Sequence, residues 1–171
     1  MIILGIDPGF ALTGYALLKK DEKTKAISLI DYGCVSTSVR EVFSQRLVIL
    51  YSEIKKILKK YQPNQMAIED IYFAKNVKTA VKVSQARGVI ILAAAQEEQK
   101  IKISNFTPLQ VKQALTGYGR ASKQQIQQMV KNVLKLKEIP RPDDAADAIA
   151  IALTCAQTNP LIGARPQKPS L

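Results

Sequence analysis

Ile2-Ile3-Leu4-Gly5-Ile6-Asp7-Pro8-Gly9 opens the chain with an unbroken apolar run that ends on a carboxylate and a turn. A short run without polar alternation is what a central strand covered on both faces requires. Pro8 biases Asp7 toward extended backbone. Gly14-Tyr15-Ala16-Leu17-Leu18 leads out of the turn as a second strand. After the polar turn 19–25, residues 26–36, rich in Ile, Leu, Tyr and Val, form a third. Short turns between the three predict an antiparallel meander.

Helical spacing then takes over. Phe43, Leu47, Leu50, Ile54, Ile57, Leu58 and Tyr61 recur at three- and four-residue steps with Lys pairs opposite, and Pro63-Asn64 stops the helix. Residues 65–69 read as a strand, about 77–99 as a long helix, 100–106 as a fifth strand, and 108–115 as a short helix. The spacing predicts helices over 122–136, capped by Ser122, and over 143–157. Three strands followed by α-β-α-β-α-α-α give an α/β fold: a mixed five-stranded sheet, a three-strand antiparallel meander joined to parallel strands and flanked by helices. Ribonuclease H-like domains have this order. The expected organisation is one domain over residues 1–157 and a basic, Pro-rich mobile tail over 158–171.

Composition narrows the function. Lys and Arg number 25 against 14 acids, with no His, and the pI is about 9.7. That balance is a footprint for nucleic acid, and it leaves acid–base or metal chemistry to carboxylates, Lys, Tyr or water. No apolar run reaches membrane-spanning length, and Asp7 interrupts the opening stretch too early for a signal peptide. Cys34 and Cys155 set no disulfide framework, which reads as a reducing cytoplasm.

The placement of the acids carries the chemistry. Asp7 and Glu69 each end an apolar strand, and right-handed crossover rules make those strands parallel neighbours. Asp144 and Asp147 sit three apart in the first turn of the last helix, so they share a face. Alone, each acid has an ordinary explanation as turn former, solvated strand end or helix cap. Together they would repel by roughly 3 kcal/mol for each pair at about 5 Å and an effective dielectric of about 20. Arg141 is the cation that the nearby sequence offers. An all-oxygen set of this kind suits Mg²⁺ or Mn²⁺ and is what phosphodiester hydrolysis requires.

Five motifs in order complete the reading. They are Gly5-Ile6-Asp7-Pro8-Gly9 with Thr13-Gly14-Tyr15-Ala16, then Ile68-Glu69-Asp70-Ile71-Tyr72-Phe73-Ala74-Lys75-Asn76, and Gln85-Ala86-Arg87-Gly88-Val89. Gln110-Val111-Lys112 with Thr116-Gly117-Tyr118-Gly119 and Ser122-Lys123 is the fourth, and Asp144-Ala145-Ala146-Asp147-Ala148 the last. Over about residues 1–157 the chain resembles the RuvC family of Holliday-junction resolvases. The resemblance implies that Asp7, Glu69, Asp144 and Asp147 form a catalytic, metal-binding tetrad for one or two Mg²⁺ ions, with Mn²⁺ able to substitute. The D-A-A-D spacing selects Asp144 over Asp143, leaving Asp143 as the helix cap. Tyr72, where the family often has Phe, is implied as a wedge stacking on bases, with Phe73 beside it. Lys112 and Lys123 match basic positions near the scissile phosphate. Lys75, Asn76, Lys78 and Arg120 read as phosphate contacts by proximity.

The family further implies a homodimer that nicks two strands of like polarity across a four-way junction, in recombination and repair, with RuvA and RuvB as partners. The sequence has a feature that suits a dimer. Ala80, Ser84, Gly88 and Leu92 recur every four residues, and 89–95 continue apolar on all sides, so the long helix is expected to meet its counterpart in a second subunit. Two other readings are of a different kind. An actin-like ATPase or sugar kinase opens similarly but needs two lobes, and a ribosomal-RNA-maturing nuclease of the same fold is shorter than the region 72–99 allows. A non-catalytic junction-binding protein would be expected to lose a tetrad position, and none is lost.

Overall fold

Period-two alternation along β1 (Ile2–Asp7) sorts its side chains onto two faces. Ile3 joins one core, Leu4 and Ile6 the other, and Asp7 returns to the Ile3 face at the strand end. β2 (Leu12–Lys20) pairs antiparallel with β1, and β3 (Ile27–Ser36) antiparallel with β2. β4 (Gln65–Glu69) and β5 (Lys102–Phe106) add in parallel, giving the order β3-β2-β1-β4-β5. The computed structural model describes residues 1–70 and 77–158. The expected tail, from residue 159 on, lies outside them.

The mixed sheet is the one the sequence predicts, with meander and parallel half meeting at β1. On one face lie α1 (Phe43–Tyr61) and α2 (Val77–Ala95), over Leu4, Ile6, Leu17, Met66 and Ile68. On the other lie α3 (Pro108–Thr116), α4 (Lys123–Val133) and α5 (Asp143–Gln157), over Ile3, Ala16, Leu18 and Ala67. Among the described residues no helix is long and apolar enough to cross a membrane.

α5 lies directly on the sheet. A Cβ on Gly14 would stand 2.0 Å from the Asp144 carbonyl oxygen, and one on Gly5 2.2 Å from that of Ala148. Glycine on the strands and alanine along the helix let backbone approach backbone. Ala145, Ala146, Ala148, Ala150, Ala152 and Ala156 are all buried.

The boundaries of two helices differ from expectation. α2 stops at Ala95 rather than residue 99, because Gln96 accepts from the Tyr51 hydroxyl and Glu97 pairs with Lys55, both on α1. α4 stops at Val133 rather than 136, where Lys135 adopts a left-handed backbone with φ 52°. Thr107 and Ser122 start α3 and α4 with capping boxes closed by Gln110 and Gln125.

Candidate active site

The two strand-borne acids come together by register. Ile6 of β1 pairs with Ile68 of β4, so Asp7 and Glu69 follow side by side on parallel strands, both on the α5 face. α5 begins above Gly14, the β2 residue paired with Asp7, and brings Asp144 and Asp147 over the same edge. Four carboxylates from three elements thus lie near enough for Asp7 to feel the charges of Glu69, Asp147 and Asp144.

Their electrostatics show the crowding. Burial first, then the charges of Glu69, Asp147 and Asp144, push the Asp7 carboxyl up to about 7, against a smaller pull from Lys123. Burial and Asp147 together push Glu69 up to about 7. Burial raises Asp147 as well, opposed by the hydrogen bond and charge of Lys123. Asp144 lies toward the β3 side, where its charge also raises the Cys34 thiol, behind the larger effect of burial. Carboxyls held this far above their ordinary range lack compensating positive charge.

The compensation present comes from Lys123, not from Arg141. The Lys123 ammonium lies 2.9 Å from Asp147 and 3.4 Å from Asp143. Arg141 pairs with Asp143 at 3.0 Å. Asp143 also departs from its expected role, because Pro142 is the N-cap of α5 and makes no side-chain cap bond. Asp143 instead accepts from Gln127 and Arg141, and Lys123 draws its carboxyl below the ordinary range. A capping signal at Asp143 cannot show this, because the partner, Lys123, lies on another helix.

A cleft of about 200 Å³ opens beside the acids, lined by Glu69, Asp147, Lys112 and Lys123 over an apolar floor that includes Val111 and Ile151. Lys112 and Lys123 therefore reach the site, whereas Lys78 and Arg120 are exposed. Tyr72, Phe73, Lys75 and Asn76 lie outside the described residues.

Two arginines support the site without any local sequence signal. Arg87 of α2 donates from Nε to the Glu69 carbonyl at 3.1 Å and from Nη2 to Asn105 Oδ1 at 2.7 Å. Arg46 of α1 is buried, stacks 3.5 Å from the Phe10 ring centroid, and donates to Thr37 Oγ1 and to the Phe10 carbonyl. It fixes the turn that follows Asp7. Arg87 lies in the Gln85-Ala86-Arg87-Gly88-Val89 motif and Arg46 within the first helix, but neither position names an acceptor.

The set fits a hard divalent cation by its chemistry: buried oxygen donors only, an excess of negative charge, and an ammonium already standing against Asp147. As the side chains stand, no group of three or more acidic or thiol side chains among the described residues is gathered so as to hold a metal ion. On α2, Ser84, Gly88 and Leu92 are exposed together, and among the described residues nothing lies within 4 Å of a Cβ placed on Gly88.

Comparison with known proteins gives the family. Residues 3–155 match the family described as crossover junction endodeoxyribonuclease RuvC. A RuvC of Halothermothrix orenii is 52% identical over 153 residues, spanning 90% of each chain. One of Fusobacterium nucleatum is 54% identical over 154 residues, 90% of this chain and 79% of the relative. The solved structure of Thermus thermophilus RuvC in complex with Holliday junction substrate superposes with a TM-score of 0.84 at 35% identity, over 92% of this chain and 93% of that one. With an acidic cluster at the edge of a ribonuclease H-like sheet and relatives of this closeness, the chain belongs to the RuvC family of crossover junction endodeoxyribonucleases.

Proposed function

We propose that the chain resolves four-way DNA junctions as a homodimer, by paired nicks in strands of like polarity that leave 5′-phosphate and 3′-hydroxyl ends. The observation that supports it is the meeting of Asp7, Glu69, Asp144 and Asp147 at one sheet edge, in a chain of 25 basic and 14 acidic residues. One or two Mg²⁺ ions, or Mn²⁺, would be held by these four. Such a cation supplies the Lewis acidity that lowers the pKa of an attacking water and offsets charge on the phosphate.

The chain's own residues do the rest. Asp7 and Glu69, fixed on adjacent strands, set the spacing of the donor set, and α5 sets its depth. Lys112 and Lys123 flank the cleft and bind the backbone phosphate as point charges. Lys123 holds both Asp147 and Asp143, so with a cation bound by Asp147 it would keep Asp143 as its partner. Tyr72, with Phe73, stacks on bases at the strand-exchange point, and Lys75, Asn76, Lys78 and Arg120 contact phosphates. Isologous pairing through Ala80, Ser84, Gly88 and Leu92 presents two sites to one junction. Junctions delivered by RuvA and RuvB in the cytoplasm are the substrate.

The deciding experiment compares Mg²⁺-dependent cleavage of a synthetic four-way junction with that of linear duplex of the same sequence and of a structured precursor RNA. Symmetric nicks confined to the junction are expected. Equal cleavage of the linear duplex, or preference for the RNA, would overturn the reading.

A further inference from the structure

Arg87 is on the wrong side of the sheet to touch the site. Its neighbours on α2, Ala86 and Ile90, pack in the core with Met66 and Ile68, whereas the Glu69 side chain projects from the opposite face toward α5. Arg87 reaches Glu69 only through the backbone. Its Nε donates to the Glu69 carbonyl at 3.1 Å, its Nη2 donates to Asn105 at 2.7 Å, and the same Nη2 stands 3.5 Å from the Asp70 carboxylate. Asn105 is the β5 residue in register with Ile68, so the guanidinium ties α2 to the ends of both β4 and β5.

The Glu69–Asp70 peptide is held at both ends. Its carbonyl accepts from Arg87, and its N–H donates to the Phe106 carbonyl at 2.8 Å. A peptide plane pinned on both sides cannot rotate, so the backbone of Glu69 is fixed and its Cα–Cβ bond is aimed. Glu69 and Phe106 form the last pair of the β4–β5 ladder, so these two bonds fix the peptide that follows Glu69.

We propose that Arg87 is a positioning residue for Glu69, locking the peptide that aims its carboxylate at the cation and the scissile phosphate. This rests on the reading of Glu69 as a site carboxylate. A guanidinium is suited because its planar fork serves several acceptors at once, which an ammonium cannot match.

The test uses the full chain with Arg87→Gln, Arg87→Lys, Asn105→Ala and Glu69→Gln. Read out are kcat and KM on a four-way junction, thermal midpoint, and binding of Mn²⁺ alone by electron paramagnetic resonance. Arg87→Gln is expected to lower kcat about 100-fold with KM within about 3-fold, the scale of a small misplacement of a reacting group. Mn²⁺ binding is expected to weaken about 10-fold, as for loss of an outer-shell support. Arg87→Lys should restore part of both. Asn105→Ala, which leaves the Glu69 carbonyl bond in place, should affect both far less at a similar thermal midpoint. Wild-type kcat and Mn²⁺ affinity in Arg87→Gln would overturn the inference. So would losses that track the thermal midpoint equally in Arg87→Gln and Asn105→Ala. If Arg87→Gln does not fold, Arg87→Lys decides, and unchanged kcat and Mn²⁺ affinity there overturn it. Full cleavage by Glu69→Gln would sink the underlying reading of Glu69, whereas an inactive Glu69→Gln beside a fully active Arg87→Gln sinks only the role of Arg87.

Discussion

α5 and α2 are both apolar helices, yet their surroundings differ. Every residue of α5 from Ala148 to Ala156 is buried, because the sheet lies beneath it and α3 and α4 lie alongside. α2 buries Ala86, Ile90, Ala93 and Ala94 against the sheet and α1, while Val81 and Leu92 are each 51% exposed. An apolar circumference therefore has two different causes. In α5 it marks a helix enclosed by its own chain, placed to carry chemistry. In α2 it leaves a stripe of small and apolar side chains facing outward, the kind of surface on which the proposed second subunit would sit.

The largest effect that would sharpen this contrast comes from the acids. Asp144→Asn and Asp147→Asn on α5, like Asp7→Asn and Glu69→Gln on the strands, are expected to lower junction cleavage about 1000-fold or more, the rate equivalent of about 4 kcal/mol. Gel-shift affinity for the junction should hold or tighten, since a carboxylate near the backbone repels it. Full activity in one variant removes that residue from the set.

Glycine substitutions test the two helices directly. Gly14→Val puts a side chain where α5 lies, so urea unfolding should show a loss of about 3 kcal/mol or more. Gly88→Glu meets no neighbour among the described residues, so its stability should change by less than about 0.5 kcal/mol. Sedimentation should instead show the variant shifted to monomer, with paired nicking lost. A dimer unperturbed by Gly88→Glu would break the comparison, leaving the α2 stripe without an assigned occupant.

Proton linkage gives a smaller effect. The folded chain keeps protons on Asp7 and Glu69 up to about pH 7, whereas the unfolded chain releases them near the ordinary values of 3.8 and 4.5. Raised carboxyl pKa values mean that the folded state binds more protons across that window. Metal-free stability attributable to these groups should therefore fall as pH rises from about 4 to about 7 and level off above. Thermal scans in chelator should show this slope flattened in Asp7→Asn, with a midpoint about 3 °C higher than wild type at about pH 8. Mn²⁺ affinity should rise over about pH 6 to 8 as the protons leave. An unchanged slope in Asp7→Asn would show that Asp7 is not crowded.

Asp143→Asn is the mildest change. Asp143 borders the site and shares Lys123 with Asp147, so cleavage should fall no more than about 3-fold, within the range of a surface ion pair. Loss comparable to Asp147→Asn would move Asp143 into the site.

Much of this was legible in the chain before any coordinates. The apolar runs that end on Asp7 and Glu69 place both acids at the ends of neighbouring parallel strands, and the three-residue step from Asp144 to Asp147 puts that pair on one helix face. What was not legible depends on tertiary partners. Lys123 reaches Asp147 because α4 lies beside α5, and Arg87 reaches the Glu69 carbonyl because α2 crosses the ends of β4 and β5. A local signal tells that a helix begins near Asp143, but not that the Asp143 carboxylate is turned to cations on other elements instead of capping. The far end of α2 was over-extended for a similar reason, since Tyr51 and Lys55 claim Gln96 and Glu97 from another helix.

The cleft beside the acids also sets terms for inhibition. Its volume of about 200 Å³ corresponds to about six or seven water molecules and falls below the usual 300–1,000 Å³ of a drug-sized pocket. A compound that fits must be compact, with one small ring against Val111, Ile126 and Ile151 and, if the proposed cation is bound, a hard-oxygen chelating head on the carboxylate side. Potency beyond that has to come from growing outward past Lys112 and Lys123, where an anionic substituent would meet two ammonium groups instead of bulk solvent.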